Sequence, residues 1–241
     1  PAQPRAEEKY GMSSQGTGRI ILTSNGLTSR KLLEEFQRLM RAAYPKKKDG
    51  EGTMIYVATA AQGEGWSMDQ CKANGNRLAE KLGFKNCVVP NLTDSSFDAS
   101  TDLPKASDVQ MIYIECGNTF YLQYYANRSG IDGYVSQLMK QGSVYVGASA
   151  GSIYAGKTVQ IALWKGWDDP SVVPANFKDE KVSKGLNIAS GMSVFPHFNP
   201  KWKELVSKKS KDLGHELIVL ADDPRHGILG WSSEKGKITE I

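Results

Sequence analysis

Cysteine is scarce in this chain. Its three residues among 241, Cys71, Cys87 and Cys116, lie far apart and never in C-x-x-C spacing. That pattern excludes a disulfide scaffold and a thiolate zinc site, and favours a reducing, cytoplasmic compartment. Histidine is equally sparse, at three residues, and no cluster of His, Cys, Asp and Glu has metal-ligand spacing. No metal or organic cofactor is therefore implied. No apolar run approaches the length of a membrane span. The net charge is only +4. The basic clusters, Lys46-Lys47-Lys48 and the run from Lys201 to Lys211, lack the aromatic or glycine-rich context of a nucleic-acid site. The second fits the solvated face of an amphipathic helix, with Trp202, Leu205, Val206 and Leu213 turned inward. The sequons at Asn91 and Asn127 are no more than chance supplies in a chain of this length.

What is present is an ordinary globular composition, 40% hydrophobic and 23% charged, enough for one substantial core. Residues 1–18 are polar and read as a flexible N-terminal tail, and residues 19–241 as a single domain. A leader removed ahead of Pro1 stays open. From Arg19 onward short apolar runs alternate with helical patterns. Strands are expected at Arg19–Thr23, Met54–Ala58, Cys87–Pro90, Val109–Ile114 and Ser143–Val146. Helices are expected after Thr28 or Ser29, after Ser67, around Phe120–Ala126 and over Ile131–Lys140. Such alternation means βαβ units, hence an α/β fold, a three-layer sandwich with a mainly parallel sheet. Ligands of such sheets bind outside the carboxyl ends of the strands.

One of those ends carries Gly147-Ala148-Ser149-Ala150-Gly151. G-x-S-x-G between strand and helix is the pattern of a nucleophile elbow, in which a sharp turn lifts the serine hydroxyl clear of the sheet. Small flanking residues permit the turn, and the Ala150 amide then faces the position of an oxyanion. The competing reading is a tight strand-to-helix turn with an inert serine. The segment Glu115-Cys116-Gly117-Asn118-Thr119 follows the preceding strand and opens on the same edge. The amide of Cys116 or Gly117 can supply a second oxyanion donor. Asn118 or Thr119 can equally serve as a helix N-cap.

A serine needs a base. His197, in Phe195-Pro196-His197-Phe198-Asn199-Pro200, lies at the end of an apolar strand flanked by prolines and suits that role; a packed core histidine is the equal alternative. His215 reads as a surface-turn residue, and His226 as a turn residue able to line a pocket. The acid that fixes the base's tautomer is sought between nucleophile and base, among Asp168, Asp169, Asp179 and Glu180. Asp168, in Trp167-Asp168-Asp169-Pro170, is the first choice and Asp169 the second. Paired aspartates before proline can also be turn formers.

Ser149 in Gly-Ala-Ser-Ala-Gly, the upstream Gly117-Asn118-Thr119-Phe120 and the downstream Pro196-His197-Phe198 together resemble the peptidase E family of serine peptidases (S51). That family includes aspartyl dipeptidases and, more distantly, cyanophycinases. The likeness runs from Arg19 to the C-terminus. It implies a class I glutamine amidotransferase-like fold, Ser149 as nucleophile, His197 as base, and an aspartate two positions before a proline, which Asp168 satisfies. The expected oxyanion and substrate-binding set is Ala150, Gly117, Cys116 and Asn118.

The chain departs from the family in having Glu115 and Cys116 where glycines are usual. Were either backbone left-handed, a side chain there would cost roughly 1–2 kcal/mol. Gln160 stands where an arginine for acidic substrates is expected, leaving Lys157, Lys165 or Arg225 as anion readers. The expected function is a serine exopeptidase acting on dipeptides or short peptides, with N-terminal aspartate among the candidates. The alternatives are a catalytically silent binding protein on the same fold, which the Glu115-Cys116 departure favours, and an esterase, which the short Ser149–His197 interval disfavours. The expected partner is a small peptide substrate, with no nucleic acid and no membrane; a homodimer stays open.

Overall fold

The computed structural model describes residues 18–46, 51–231 and 239–241. The tail expected over residues 1–18 lies, but for Gly18, outside the described residues, as do Lys47 and Lys48. Five parallel strands form the centre of one sheet: β1 (Arg19–Thr23), β2 (Thr53–Val57), β3 (Asn86–Val88), β4 (Val109–Ile114) and β5 (Val144–Ala148). Their spatial order is β3-β2-β4-β5-β1. Antiparallel β8 (Gly227–Trp231) and β9 (Thr239–Glu240) extend the sheet beyond β1. A separate parallel pair, β6 (Ser193–Phe198) and β7 (Leu217–Ala221), completes the β structure among the described residues.

Successive side chains of the central strands enter two different cores, because a strand's side chains alternate between faces. Ile20 and Leu22, Ile55 and Val57, Ile112 and Ile114, and Tyr145 fill one face. Ile21, Met54 and Tyr56, Met111 and Tyr113, and Val144 and Val146 fill the other. Both faces being covered, the strands read as near-continuous apolar runs. The second core is closed by α1 (Arg30–Ala43), through Leu32, Phe36 and Leu39, and by α2 (Met68–Leu82), through Cys71 and Ala79. The first is closed by α3 (Thr119–Ser129), α4 (Ile131–Gln141) and α5 (Ala150–Ala155). The result is the expected α/β sandwich with a mostly parallel sheet.

Helix starts fall where capping chemistry puts them. The Ser29 hydroxyl accepts from the Leu32 amide, and Ser67 with Gln70 forms a reciprocal capping box. The lysine-rich helix α6 (Lys203–Lys211) buries no residue fully, though Trp202, Val206 and Leu213 pack on the first core. Because β5 lies between β4 and β1, the carboxyl ends of these three strands converge at the middle of one sheet edge. No helix among the described residues is long and apolar enough to cross a membrane.

Candidate active site

Ser149 follows β5 with φ 47° and ψ −102°, a left-handed backbone rare for a residue with a side chain. Such strain costs about 1–3 kcal/mol and persists only where the surroundings enforce it. Here the enforcement is close packing of α5 on the sheet. A Cβ on Gly151 would run into the Ile114 carbonyl oxygen, and one on Gly147 would lie 2.7 Å from the Gly151 carbonyl. Only glycine fits at either position, which accounts for both ends of the G-x-S-x-G pattern. The Ser152 hydroxyl, accepting from the Thr23 amide at 3.0 Å, pins the helix start to β1.

His197, near the end of β6, brings its Nε2 to 2.9 Å from Ser149 Oγ. Its Nδ1 lies 2.9 Å from Asp222 Oδ1. The histidine too has a positive φ, 54°, at the irregularity that interrupts β6–β7 pairing between Phe195 and Phe198. Ser24, at the end of β1, holds this bend: its hydroxyl accepts from the His197 amide at 2.8 Å and donates to the Ala221 carbonyl at 3.0 Å. One serine thus ties the central sheet to both strands that carry the histidine and its carboxylate. Ser24→Ala is expected to lower kcat by between about 10- and 100-fold with KM nearly unchanged, since it misplaces the imidazole and leaves the pocket intact; steady-state kinetics on one peptide checks this.

The expectation that Asp168 orients the histidine is corrected by this geometry. Asp168 Oδ2 instead accepts from the Thr119 amide at 2.8 Å, at the start of α3, where a carboxylate suits the positive end of the helix. Burial raises its pKa, with the Thr119 hydrogen bond opposing. Asp169, the second choice, caps the turn Pro170–Val172 by accepting from the Ser171 amide at 2.8 Å. The turn-forming alternative therefore describes Asp169, whereas Asp168 makes a tertiary contact with the start of α3.

The loop after β4 also differs in part from expectation. The Cys116 amide donates to Glu115 Oε1 at 2.8 Å, so it is no oxyanion donor. Glu115 is buried and also accepts from the Tyr56 hydroxyl at 2.5 Å. Neither Glu115 nor Cys116 has a positive φ, so the departure from glycine brings no left-handed strain. Cys116 is exposed, and local desolvation together with the neighbouring Glu115 carboxylate raises the pKa of its thiol. Gly117 does carry a positive φ, 130°, and any Cβ there would overlap the Ala60 backbone. Its amide and that of Ala150 are the two left of the expected oxyanion donors. The Asn118 side chain is committed to structure: Oδ1 accepts from the Phe120 and Tyr121 amides at 3.0 Å each, and Nδ2 donates to the Asp169 carbonyl at 3.1 Å.

Two other histidines resolve differently. His215 is half-buried rather than a surface-turn residue, its Nε2 2.7 Å from Ser193 Oγ at the opposite end of β6 from His197. His226 accepts from the Ala221 amide through Nδ1 at 2.8 Å. Gln160 and Lys157 line a cavity of about 430 Å³ with His215, remote from Ser149 along β6. Trp167 packs on His197 with ring centroids 5.8 Å apart and covers its outer side. Among the described residues no group of side chains could hold a metal ion.

The comparisons with known proteins bear on the family and the fold. An uncharacterised peptidase of Listeria innocua is 28% identical over 162 residues, covering 62% of this chain and 72% of its own. One of Listeria monocytogenes is 27% identical, covering 56% and 61%. In structure, a Listeria monocytogenes protein assigned to peptidase E superposes with a TM-score of 0.61 at 19% identity, covering 93% of this chain and 98% of its own. A peptidase from an acI-B1 actinobacterium does so with 0.62 at 18%, covering 95% and 98%. The model of peptidase family S51 matches residues 20–224, a span that contains the strained serine, its histidine and the carboxylate behind it. The chain is therefore a serine-type peptidase belonging to peptidase family S51.

Proposed function

We propose that the protein is a serine exopeptidase that hydrolyses dipeptides or short peptides through an acyl-enzyme on Ser149. The observation that carries this reading is the continuous relay Ser149 Oγ–His197–Asp222, with both contacts at 2.9 Å. Ser149 Oγ attacks the scissile carbonyl as His197 Nε2 takes its proton. The Ala150 and Gly117 amides receive the oxyanion. His197 then protonates the leaving nitrogen as the C–N bond breaks, and water, activated by the same imidazole, releases the acyl group. Asp222 holds Nδ1 protonated and so keeps Nε2 free to act as base. The silent-protein alternative loses its main support, because Glu115 and Cys116 sit in unstrained backbone.

A panel of unblocked dipeptides, their N-acetylated counterparts and peptides of eight or more residues tests the exopeptidase reading. Unblocked dipeptides, an aspartyl member included, are expected to be hydrolysed at least tenfold more efficiently than blocked or long ones, because recognition of a free terminus leaves buried polar groups unpaired when that terminus is masked. Equal turnover of blocked and long peptides would contradict it. Preference for acyl esters over every peptide would favour the esterase alternative.

A further inference from the structure

Of the three cations open to anion recognition, the structure sets two aside. Lys157 lines the remote cavity beside His215. Arg225 is already paired with Asp223 at 2.9 Å. Lys165 stands beside the histidine. Its Nζ donates to the carbonyl of Pro196, the residue before His197, at 2.9 Å. It lies 3.8 Å from the centre of the Trp167 ring and 4.9 Å from that of Phe195. Trp167 is the ring that covers His197. The ammonium is half-buried and forms no ion pair among the described residues. Its one hydrogen bond leaves two of its three donors without a hydrogen-bond partner among the described residues, beside two rings and within the pull of the Asp168 and Asp222 carboxylates.

Which part of a substrate reaches this place follows from the chemistry. His197 must hand its proton to the leaving nitrogen, so the leaving group lies on the histidine's side of Ser149, where Trp167, Trp202, Lys165 and Lys201 gather. A single leaving residue spans roughly 3.5 Å from its nitrogen to its terminal carboxylate. We propose that Lys165 binds the free C-terminal carboxylate of the leaving residue, so that the preferred substrates are dipeptides and other peptides cut one residue from an unmodified C-terminus. The inference rests on the acyl-enzyme reading above and adds the chemical identity of the leaving group. Trp167 and Trp202, edge to face at 5.7 Å, give that residue's side chain an apolar wall.

Burial lowers the Lys165 pKa to about 8, against the opposing pull of Asp168 and Asp222 and with the help of Lys201. The ammonium is charged below that pH and loses its charge above it. His197, Asp168, Asp222 and Lys201 face the same space, so Lys165→Met is what separates the part of Lys165 from theirs.

The test compares an apolar dipeptide with its C-terminal amide. Binding is measured by calorimetry on Ser149→Ala, and kcat/KM on proteins with Ser149 intact. The free acid is expected to be preferred by between about 10- and 100-fold, the range for a charge-assisted hydrogen bond to a partly buried carboxylate. The preference should fall within about twofold in Lys165→Met, persist in Lys165→Arg, and fade as pH rises through about 8. Equal binding of acid and amide by the parent protein, or an undiminished preference in Lys165→Met, would overturn the proposal; the parent comparison stands even if the variant fails to fold. Discrimination in binding without hydrolysis of either peptide by the Ser149-containing protein would support Lys165 as the carboxylate reader and count against the acyl-enzyme reading instead.

Discussion

Replacing Ser149 by alanine is expected to lower kcat on the best peptide substrate by about 10⁶-fold, with substrate binding retained. The size of the effect follows from the geometry. His197 Nε2 lies 2.9 Å from the Ser149 hydroxyl, the nucleophile it activates. Residual turnover would come from attack by water on the bound carbonyl, with the Ala150 and Gly117 amides still receiving the oxyanion. Because serine and histidine act as a unit, His197→Ala should cost nearly as much, and the double variant little more than either alone. A fall of only tenfold in Ser149→Ala would mean that another group attacks the carbonyl.

The second large effect separates two aspartates. Asp222→Asn is expected to lower kcat by about 10³- to 10⁴-fold, because an amide at 2.9 Å from Nδ1 can donate to it and so favour the tautomer whose Nε2 cannot accept the serine proton. Asp168→Ala should leave kcat within about tenfold while costing about 1 kcal/mol of stability, through loss of the carboxylate that accepts the Thr119 amide at the start of α3. Kinetics and thermal unfolding of the two variants, side by side, check both halves. The reverse pattern, a catalytic collapse in Asp168→Ala and none in Asp222→Asn, would contradict the arrangement.

The sheet and its helices were legible because the central strands are short apolar runs and several helices begin with a capping side chain, as at Ser29, Ser67 and Asn118. Ser149 was legible for a steric reason: the approach of α5 to Ile114 demands glycine at 151, and that demand writes itself into the sequence. His197 was legible from its place at a strand end. Its partner was not, although a signal was present. Asp-x-Pro occurs at both Asp168-Asp169-Pro170 and Asp222-Asp223-Pro224. Seeking the acid between serine and histidine excluded the second, whereas β6–β7 pairing brings Phe198 beside Ala221 and so carries Asp222 to His197. Ser24 left no trace in composition or period, since its role arises from a contact across 173 residues; Lys165 was among the expected anion readers, but what sets it apart from Lys157 and Arg225 is a contact across 31 residues. Glu115 read as a lesion because its burial and its bond to Tyr56 are tertiary facts.

The relay through Ser149, His197 and Asp222 is tested most directly by the site and rate of covalent labelling with a serine-reactive fluorophosphonate, read by mass spectrometry of the intact and digested protein. The account predicts a single adduct on Ser149, slowed by a factor of about 10³ or more in both His197→Ala and Asp222→Asn and unaffected by Asp168→Ala. No adduct on the folded protein, an adduct on another residue, or labelling as fast in Asp222→Asn as in the parent would contradict it.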